Sequence, residues 1–483
     1  MTRDDDEVYA SIVDAFDGDF TRVTRITLDD DSPSSRDAGW HPRSTRSHVL
    51  CAPTNARECA RVARACAKLV VPLVVRGAGT GLEGACVPYS GGVVLATSAM
   101  KTIEIDVVDG VARVGAGVAK SELNAALRKL GFVFGPDPSS DPSIGGMAST
   151  GGSGLSTIKY GTMKENVRSM TVVTPSGDIV RTRAETRKSS TGYELNALYL
   201  GAEGTLGVIT DLCVKIYPLP RTRCGAMVRF ANVASAAKTV AEVMALNLGT
   251  LLKCELMNDE GIKVTNVVFK TSLPCEPTLF LEFVGNDSAQ TKADWETFKA
   301  QAEKNGSSGA SFAATGEELD ALFDARRGCY LGAMRYRGLE AGTSEKESVY
   351  VGDVCVPLSR LAETIASTEK EFKKARFPCV ICAHIADGNF HCLIPFKEHE
   401  RAALQALEDK VIGAALAVGG SASGEHGVGV GKQSYILQEH GAAHIGIQRA
   451  IKRALDPQNI MNPGKIFPWD PSPDEIRLSL AKL

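Results

Sequence analysis

Two histidines in the last quarter of the sequence are spaced so that they could bind one metal ion. They flank Asp387-Gly388, a dipeptide typical of a two-residue hairpin loop between short apolar runs. With that loop, Ala386 pairs with Asn389, and His384 pairs with His391 on one face of the sheet, with Cβ atoms ~5 Å apart. Because imidazole nitrogens bind divalent cations at ~2.1 Å, the hairpin predicts two ligands of a metal site.

A third ligand is available in the run Gly-Glu-His-Gly at 424–427. Glu425 offers a carboxylate oxygen, and the glycines on either side allow close approach of the backbone. His426 adds an imidazole next to it. The alternative interpretation is a histidine hairpin and a glycine-rich turn that bind no metal.

A glycine-rich loop, Arg76–Gly84, follows a predicted buried strand at 70–75. Successive backbone N–H groups and the hydroxyl of Thr80 could line a concavity for phosphate oxygens. Gly79, Gly81 and Gly84 match G-x-G-x-x-G, but Pro88 and the residues after it would break the helix that a Rossmann domain requires. We therefore predict a pyrophosphate loop of another fold, or, as the alternative, a glycine-rich surface turn.

Two further patterns each have a structural and a chemical interpretation. Arg326 closes an amphipathic helix pattern and could bind a substrate carboxylate, although the pattern alone favours a salt bridge on the surface. Cys379 and Cys382 form a C-x-x-C, but residues three apart in a strand point to opposite faces. We therefore predict that Cys379 and Cys382 are core residues and not ligands of a zinc knuckle.

The elements that position these residues alternate between strands and helices from residue 49 onward. Residues 135–163 are predicted as a long, glycine-rich loop that binds a ligand, and Pro175–Asp178 predicts a hairpin. Pro218–Arg221 reads as a domain boundary. Beyond it we predict strands at 279–284, 349–356 and 379–385, and helices at 234–246, 289–305 and 358–375.

Composition limits the class of protein. The chain has 483 residues, which favours two domains or one two-lobed enzyme, and 23% charged with 44% hydrophobic residues is typical of a globular protein. A net charge of −3 without a long basic run argues against nucleic-acid binding, and no apolar run of about 18 residues predicts a membrane span. Thirteen cysteines, an odd number, favour free thiols in a reducing compartment.

The two ends of the chain bear on its location. Ala481-Lys482-Leu483 resembles the Ser-Lys-Leu peroxisomal address, so we predict a microbody such as a peroxisome or glycosome, an import receptor as partner, and the cytoplasm otherwise. The acidic first ten residues predict neither a mitochondrial transit peptide nor a signal peptide.

Taken together and in order, several motifs resemble one family, the FAD-linked 2-hydroxy-acid dehydrogenases of the vanillyl-alcohol-oxidase/PCMH superfamily, with D-lactate dehydrogenases and the glycolate-oxidase flavin subunit most similar. The resemblance covers about residues 48–468. Its motifs are Arg76–Gly84, Asp141–Gly154, Lys159–Asn166, Gly201–Ile209, Asp353–Pro357, His384–His391, Gly424–Gly427 and Asn462–Lys465.

The resemblance implies an α+β, two-lobed fold in which a PCMH-type FAD-binding domain of two α+β subdomains carries an antiparallel-sheet cap. We expect a lead segment at 1–47, the FAD domain at 48–220, the cap with the metal hairpin at 221–420, and a C-terminal segment at 421–483 returning to the FAD domain. FAD would be non-covalent, because Arg76–Gly84 contains no histidine or cysteine. The expected FAD contacts are Arg76, Gly77, Ala78, Gly79, Thr80, Gly81, Ser143, Gly145, Gly146, Thr150, Ser153, Glu203, Gly204, Ile209 and Asn462.

The resemblance also implies a reaction. His384, His391 and Glu425 would bind Zn²⁺ or Mn²⁺, which lowers the pKa of the substrate hydroxyl. His426 would remove the hydroxyl proton, Arg326 would hold the carboxylate, and hydride would pass from Cα to flavin N5. The expected substrate is a short D-2-hydroxy acid, D-lactate before others, and the electron acceptor is not identified.

Three alternatives to this reaction stay open. D-2-hydroxyglutarate enzymes of the family carry a lysine near the strand before Asp353, and Tyr350–Gly352 has none, which argues against a dicarboxylate. An alkyl-dihydroxyacetonephosphate synthase-like peroxisomal enzyme would be expected to have a histidine-rich run in place of Gly424–Gly427. A flavin-binding or metal-binding scaffold without turnover is the third alternative.

Overall fold

The structure is a computed structural model that describes residues 5–27, 30–313, 316–343 and 346–467. The predicted microbody address, Ala481–Leu483, lies outside the described residues. Within the described part of the chain, no helix combines the length and apolar character needed to cross a membrane.

The described chain divides into two compact units. The first comprises the residues up to Ser153, Tyr160–Leu219 and the residues from Glu425 onward. The second comprises Gly154–Lys159 and Pro220–Gly424.

The strands up to the boundary at 219 are β1 Val23–Ile26, β2 His48–Cys51, β3 Leu73–Arg76, β4 Gly92–Ala96, β5 Ile103–Asp106, β6 Val111–Gly115, β7 Phe132–Val133, β8 Val167–Val173, β9 Ile179–Arg181, β10 Val208–Lys215 and β11 Tyr217–Pro218. The helices of this stretch are α1 Asp5–Ala15, α2 Ala56–Leu69, α3 Lys120–Arg128, α4 Ile144–Thr150, α5 Thr157–Tyr160, α6 Met163–Asn166 and α7 Leu195–Tyr199.

The later strands are β12 Thr222–Phe230, β13 Leu251–Met257, β14 Thr278–Gly285, β15 Ser307–Ala313, β16 Ser348–Val351, β17 Val354–Cys355, β18 Val380–His384 and β19 Asn389–Phe396. The later helices are α8 Val233–Leu246, α9 Asp259–Phe269, α10 Ser288–Lys304, α11 Gly316–Arg327, α12 Cys329–Glu340, α13 Leu358–Lys374, α14 Arg401–Ala417, α15 Ile436–His440 and α16 Ala442–Leu455.

Among the described residues of the first unit there are three sheets, of which the smallest is the pair of strands β7 and β11 and the two larger share a core. A four-stranded sheet has the order β1-β2-β4-β3, with β4 parallel to both β2 and β3, and a five-stranded antiparallel sheet has the order β5-β6-β10-β8-β9. Helix α2 begins at the cap residue Asn55, and its buried stripe, with Cys59, Val62 and Cys66, repeats at helical spacing. That stripe belongs to the core in which residues of both sheets pack.

The region after β3 confirms that this is not a Rossmann domain. The residues from Gly77 to Gly91 form turns, and the chain enters β4 at Gly92 without an intervening helix. The hairpin predicted at Pro175–Asp178 is confirmed, because β8 and β9 pair across it.

One prediction about this unit was wrong in part. Residues 135–163 are not a continuous loop, since they contain α4 and α5 and the first residue of α6. Glycine disfavours helix, but the Ser143 side chain accepts a hydrogen bond from the Gly146 N–H and caps α4, and Gly151 ends it in the left-handed region at φ 70°.

An eight-stranded antiparallel sheet forms the second unit, in the order β15-β12-β14-β13-β18-β19-β16 with β17 paired to β19. Every residue of β13, β18 and β19 is buried, because helices cover both faces of the sheet. Residues from α9, α11 and α12 pack in one cluster with Met257, Cys382 and Leu393 of the sheet. The antiparallel sheet expected for this part of the fold is confirmed.

The predicted register of the histidine hairpin was wrong. His384 pairs with Asn389, and His391 pairs with Cys382, because residues 385–388 form a longer turn in which Ile385–Asp387 make one turn of 3-10 helix. Gly388 closes the turn at φ 80°, where an added Cβ would meet the Val356 carbonyl oxygen at 2.1 Å. Since the pairing is displaced by two residues, an even number, both histidines keep the same face of the sheet.

Candidate functional site

The two glycine-rich segments of the first unit lie against each other. Gly77 follows β3 directly, and a Cβ added there would come within 2.4 Å of the Ser143 Oγ, at the start of α4. Gly79 is in the left-handed region at φ 72°, where a Cβ would meet the Arg76 guanidinium. Glycine is therefore required at both positions, because a Cβ would displace the Ser143 or Arg76 side chain that lies there.

The side chains of these segments mostly hold the loops in place. The Arg76 guanidinium donates from Nη1 to the Arg36 carbonyl at 2.7 Å, and the Thr150 hydroxyl donates to the Gly146 carbonyl at 3.3 Å. Ser153 Oγ donates to Glu425 Oε2 at 2.6 Å. Of the residues predicted to contact FAD, the structure thus places the 76–81 and 143–153 groups together in one unit.

Glu203 is a buried carboxylate in the same unit. Its Oε1 accepts from the Val428 N–H at 2.6 Å and its Oε2 from the Gly429 N–H at 2.8 Å. Burial raises the pKa of Glu203 to about 7, against the lowering effect of the two N–H donors. Glu203 thereby ties the turn after His426 to the loop after α7.

Asn462 connects a third segment to this loop. Its Nδ2 donates to the carbonyls of Glu203 at 2.7 Å and Ala85 at 2.9 Å, and neighbouring Lys465 Nζ donates to the Val87 carbonyl at 2.7 Å. Burial lowers the pKa of Lys465 to about 8. The remaining predicted FAD contacts include Gly204, at φ 73° against Val75, and Ile209, which is buried in β10.

The two predicted metal-binding histidines lie side by side in the second unit. Both are 5% exposed, their ring centroids are 5.3 Å apart, and a ring nitrogen of each lies within 4.8 Å of one of the other. The Nδ1 of His384 is 2.8 Å from Glu255 Oε1, and the Nδ1 of His391 is 3.1 Å from the Gly352 carbonyl. Each ring is thus fixed through Nδ1 to an acceptor, the arrangement that orients Nε2 of metal-binding histidines.

Arg326 is close to this pair and is not the surface residue that its pattern alone favoured. Its side chain is 5% exposed, and Nε and Nη2 donate to Glu255 Oε2 at 3.0 and 2.7 Å. Glu255 therefore binds both His384 and Arg326. Cys379 and Cys382 are buried, as predicted for core cysteines, and all thirteen cysteines are free.

In the second unit, the Asp353 carboxylate holds the backbone at Gly424 in place. Its carboxylate accepts from Asn389 Nδ2 at 2.8 Å, from the Ser423 hydroxyl at 2.8 Å and from the Gly424 N–H at 2.9 Å. The same carboxylate is 3.8 Å from His391 Nδ1. Glu425 is joined to Gly424 by a peptide bond, but Glu425 and His426 belong to the first unit. That these two residues meet the histidine pair therefore stays a prediction.

Sequence reasoning missed Glu255 and Asp353 as site residues. Glu255 stands in Leu251–Met257, where Lys253 is charged as well, and alternating charges of this kind also occur on the solvent face of a strand. Asp353 was quoted only as part of a motif. Charged residues at two alternate positions, Lys253 and Glu255, of a strand whose other residues are apolar are the signal that could have identified Glu255.

Two family models match the chain. One, described as FAD linked oxidases, C-terminal domain, matches residues 219–466, and the other, described as FAD binding domain, matches residues 47–183.

The similar proteins include several D-lactate dehydrogenases. The chain is 35% identical over 437 residues to "D-lactate dehydrogenase (cytochrome), mitochondrial" of Arabidopsis thaliana, which covers 89% of this chain and 75% of the relative. It is 34% identical to "Probable D-lactate dehydrogenase, mitochondrial" of Danio rerio, over 89% and 86% of the two chains. It is 32% identical to "Glycolate oxidase subunit GlcD" of Bacillus subtilis, over 87% and 89%.

Solved structures show the same fold at low identity. A p-cresol methylhydroxylase with bound substrate has a TM-score of 0.74 at 17% identity and covers 95% of this chain and 96% of that one. An alkyldihydroxyacetonephosphate synthase has a TM-score of 0.71 at 19% identity, over 94% and 84%. These neighbours confirm the PCMH-type FAD-binding fold.

The predicted location was wrong. The D-lactate dehydrogenases of Arabidopsis, Danio and two yeasts are named mitochondrial, which points away from a peroxisome or glycosome and from a peroxisomal import receptor. A three-residue ending carries little information, because its residue types recur by chance. 

The matched models, together with relatives above 30% identity over most of the chain, confirm the resemblance drawn from the motifs: the chain belongs to the FAD-linked oxidase family of D-lactate dehydrogenases and glycolate oxidase flavin subunits.

Proposed function

We propose that this protein uses FAD and a divalent cation to oxidise a short D-2-hydroxy acid, D-lactate before others, to the 2-oxo acid. The observation that carries the proposal is the histidine pair of the second unit, whose rings are both fixed through Nδ1 beside a buried arginine. The names of the relatives, D-lactate dehydrogenase and glycolate oxidase subunit, support the substrate class.

The residues that we assign to FAD and to the divalent cation are chemically suited to bind them. For FAD, Gly77 has no room for a Cβ beside Ser143, and we assign the peptide N–H groups of this glycine-rich loop to the phosphate oxygens. For the cation, the Nε2 atoms of His384 and His391 are the ligands that we assign, and Zn²⁺ or Mn²⁺ accepts imidazole nitrogen. Glu425 is the proposed third ligand, because it is one peptide bond from Gly424, which Asp353 holds.

When bound, the cation would supply a Lewis acid that lowers the pKa of the substrate hydroxyl, and FAD would supply the acceptor for the hydride of Cα. The chain supplies the remaining steps. Arg326 binds the substrate carboxylate and so fixes the direction of the Cα–H bond. The His426 imidazole takes the hydroxyl proton, a role that histidine can fill near neutral pH.

The proposed substrate has a single carboxylate because the expected position for a second cationic side chain contains none. Tyr350–Gly352, beside the hairpin in the sheet, contains no cation that could bind a second carboxylate. D-lactate is therefore preferred over D-2-hydroxyglutarate. The electron acceptor is left open; three relatives with the word cytochrome in their names make a cytochrome one acceptor to assay.

The test is anaerobic reduction of the bound flavin by a panel of acids. We expect the flavin absorbance to bleach with D-lactate, more slowly with D-2-hydroxyglutarate, and not with L-lactate. Bleaching by no D-2-hydroxy acid would refute the proposal. Faster bleaching by D-2-hydroxyglutarate would refute the assignment of D-lactate and favour the dicarboxylate.

A further inference from the structure

Glu255 stands where a lone charge would be costly. All seven residues of β13 are buried, and Glu255 itself is 1% exposed. Moving a carboxylate from water into such a place is unfavourable unless partners compensate for its lost hydration. Its partners therefore indicate why an acid is present at this position.

The partners of Glu255 are two residues to which the proposed function gives separate tasks. Oε1 is 2.8 Å from His384 Nδ1, and Oε2 accepts both Nε and Nη2 of Arg326. One carboxylate thus contacts a proposed metal ligand and the proposed substrate-carboxylate anchor.

The contact with His384 has a consequence for the imidazole. An ionised carboxylate only accepts hydrogen bonds, so the hydrogen between the two groups belongs to Nδ1. Nε2 of His384 then carries the lone pair, as a metal ligand must. The carboxylate also makes the imidazole a stronger ligand.

The contact with Arg326 has a consequence for the guanidinium. Two donors on one edge of the planar group are held by a single oxygen, which fixes the plane and leaves its Nη1 edge as the one we assign to substrate. A lysine in this place could not be oriented in the same manner, since it is a point charge on a flexible stem.

We propose that Glu255 is a positioning residue that sets the His384 tautomer and the Arg326 orientation together, and so couples cation binding to binding of the substrate carboxylate. This inference rests on the proposed function.

A purely structural ion pair is the competing explanation, and the sheet contains a matched control for it. Glu282 on β14 lies opposite Lys253, on the same face as Glu255, and is equally buried at 1%. It pairs with Lys253 at 2.8 Å and Arg223 at 2.8 Å and contacts neither His384 nor Arg326 in these bonds. Loss of a buried ion pair is therefore common to both positions, and only Glu255 adds the contact with His384.

The experiment compares the FAD-loaded Glu255→Gln and Glu282→Gln variants with the unaltered protein. After chelation, Mn²⁺ binding is measured by calorimetry, and KM and kcat for D-lactate are measured with Mn²⁺ restored. We expect Glu255→Gln to weaken Mn²⁺ binding about 10- to 100-fold, the effect typical of losing such a partner, and to raise the KM. Glu282→Gln should leave both within about threefold. Equal effects of the two substitutions would overturn the proposal.

A second measurement decides the matter without substrate and with Glu255 unaltered. In unaltered protein with isotope-labelled histidine, nitrogen chemical shifts report which ring nitrogen of His384 carries hydrogen, with a His384→Asn variant for assignment. The proposal requires Nδ1–H in the chelated protein, and Nε2–H would overturn it. If this tautomer is found but no D-2-hydroxy acid reduces the flavin, the proposed function fails while the positioning of His384 stands.

Discussion

Two buried glutamates, one in each unit, are compensated in different ways. Glu203 lies in a loop at φ 49° and accepts two backbone N–H groups. Glu255 lies in a strand and is paired with the side chains of Arg326 and His384. Backbone donors are available in any sequence that forms the turn, whereas side-chain partners depend on residues far apart in the sequence.

The difference teaches how each unit contributes. In the first unit, we assign FAD to a surface of glycines and backbone groups, and Glu203 joins two of its segments. In the second unit, specific side chains on β13, β18, β19 and α11 form a charged cluster inside a sheet. We expect substitutions in the first unit to change FAD retention and stability, and substitutions in the second to change turnover with FAD retained.

The largest effect is expected from His391→Ala. Because the substitution removes one proposed metal ligand while leaving the first unit intact, kcat/KM for D-lactate should fall by about 100-fold or more. The flavin absorbance per protein should stay unchanged. His399→Ala, at an exposed position after β19, is the control. Near-normal turnover of the His391→Ala protein would contradict the view that side chains of the second unit are needed for oxidation.

A smaller effect is expected from Gly77→Ala in the first unit. The added Cβ would lie 2.4 Å from Ser143 Oγ, so either the Ser143 hydroxyl gives up its cap of α4 or the two glycine-rich segments separate. Overpacking of this kind costs about 1–3 kcal/mol, or roughly 10-fold or more in FAD affinity. Gly446→Ala in α16, where a Cβ meets no atom within 4 Å, serves as control. Equilibrium FAD titration measures the change, and equal affinities would contradict it.

The smallest effect concerns stability and pH. Burial raises the pKa of Glu203 from 4.5 to about 7, so the folded state binds more protons than the unfolded state between these values. Stability should therefore fall as pH rises from about 4.5 to 7, by at most roughly 3.5 kcal/mol at 1.4 kcal/mol per pKa unit.

Urea unfolding at pH 5 and pH 7.5 checks this sign. The Glu203→Gln variant should lose that part of the pH dependence, while Glu317→Gln, an exposed residue of α11, should keep it. A variant whose stability changes with pH as the unaltered protein does would show that Glu203 is not the group responsible.

Much of both units could be predicted because the signals are local. The glycine-rich loop after β3, the hairpin between β8 and β9 and most helices of the second unit follow from turn residues and apolar spacing. The pair His384 and His391 was also found from spacing, although the register was wrong. Because the pairing is displaced by two residues, both histidines still lie on the same face of the sheet, as predicted.

The parts of the site that could not be predicted from sequence depend on contacts between residues far apart in the chain. Glu255 and Arg326 are 71 residues apart, and Glu255 and His384 are 129 apart. No local pattern predicts that one carboxylate meets both. Helix α4 was missed for a different reason, because its glycines suggested a loop while the cap at Ser143 stabilises the helix.

The most direct test of the account is metal removal followed by restoration. The purified FAD-loaded protein is chelated, mixed anaerobically with D-lactate, and then titrated with Mn²⁺ or Zn²⁺ while flavin absorbance is recorded. We predict that the chelated protein keeps its FAD but does not bleach, and that about one equivalent of cation restores bleaching. Full-rate bleaching of the chelated protein would contradict the account, because the histidine pair and Glu255 would then have no part in the oxidation.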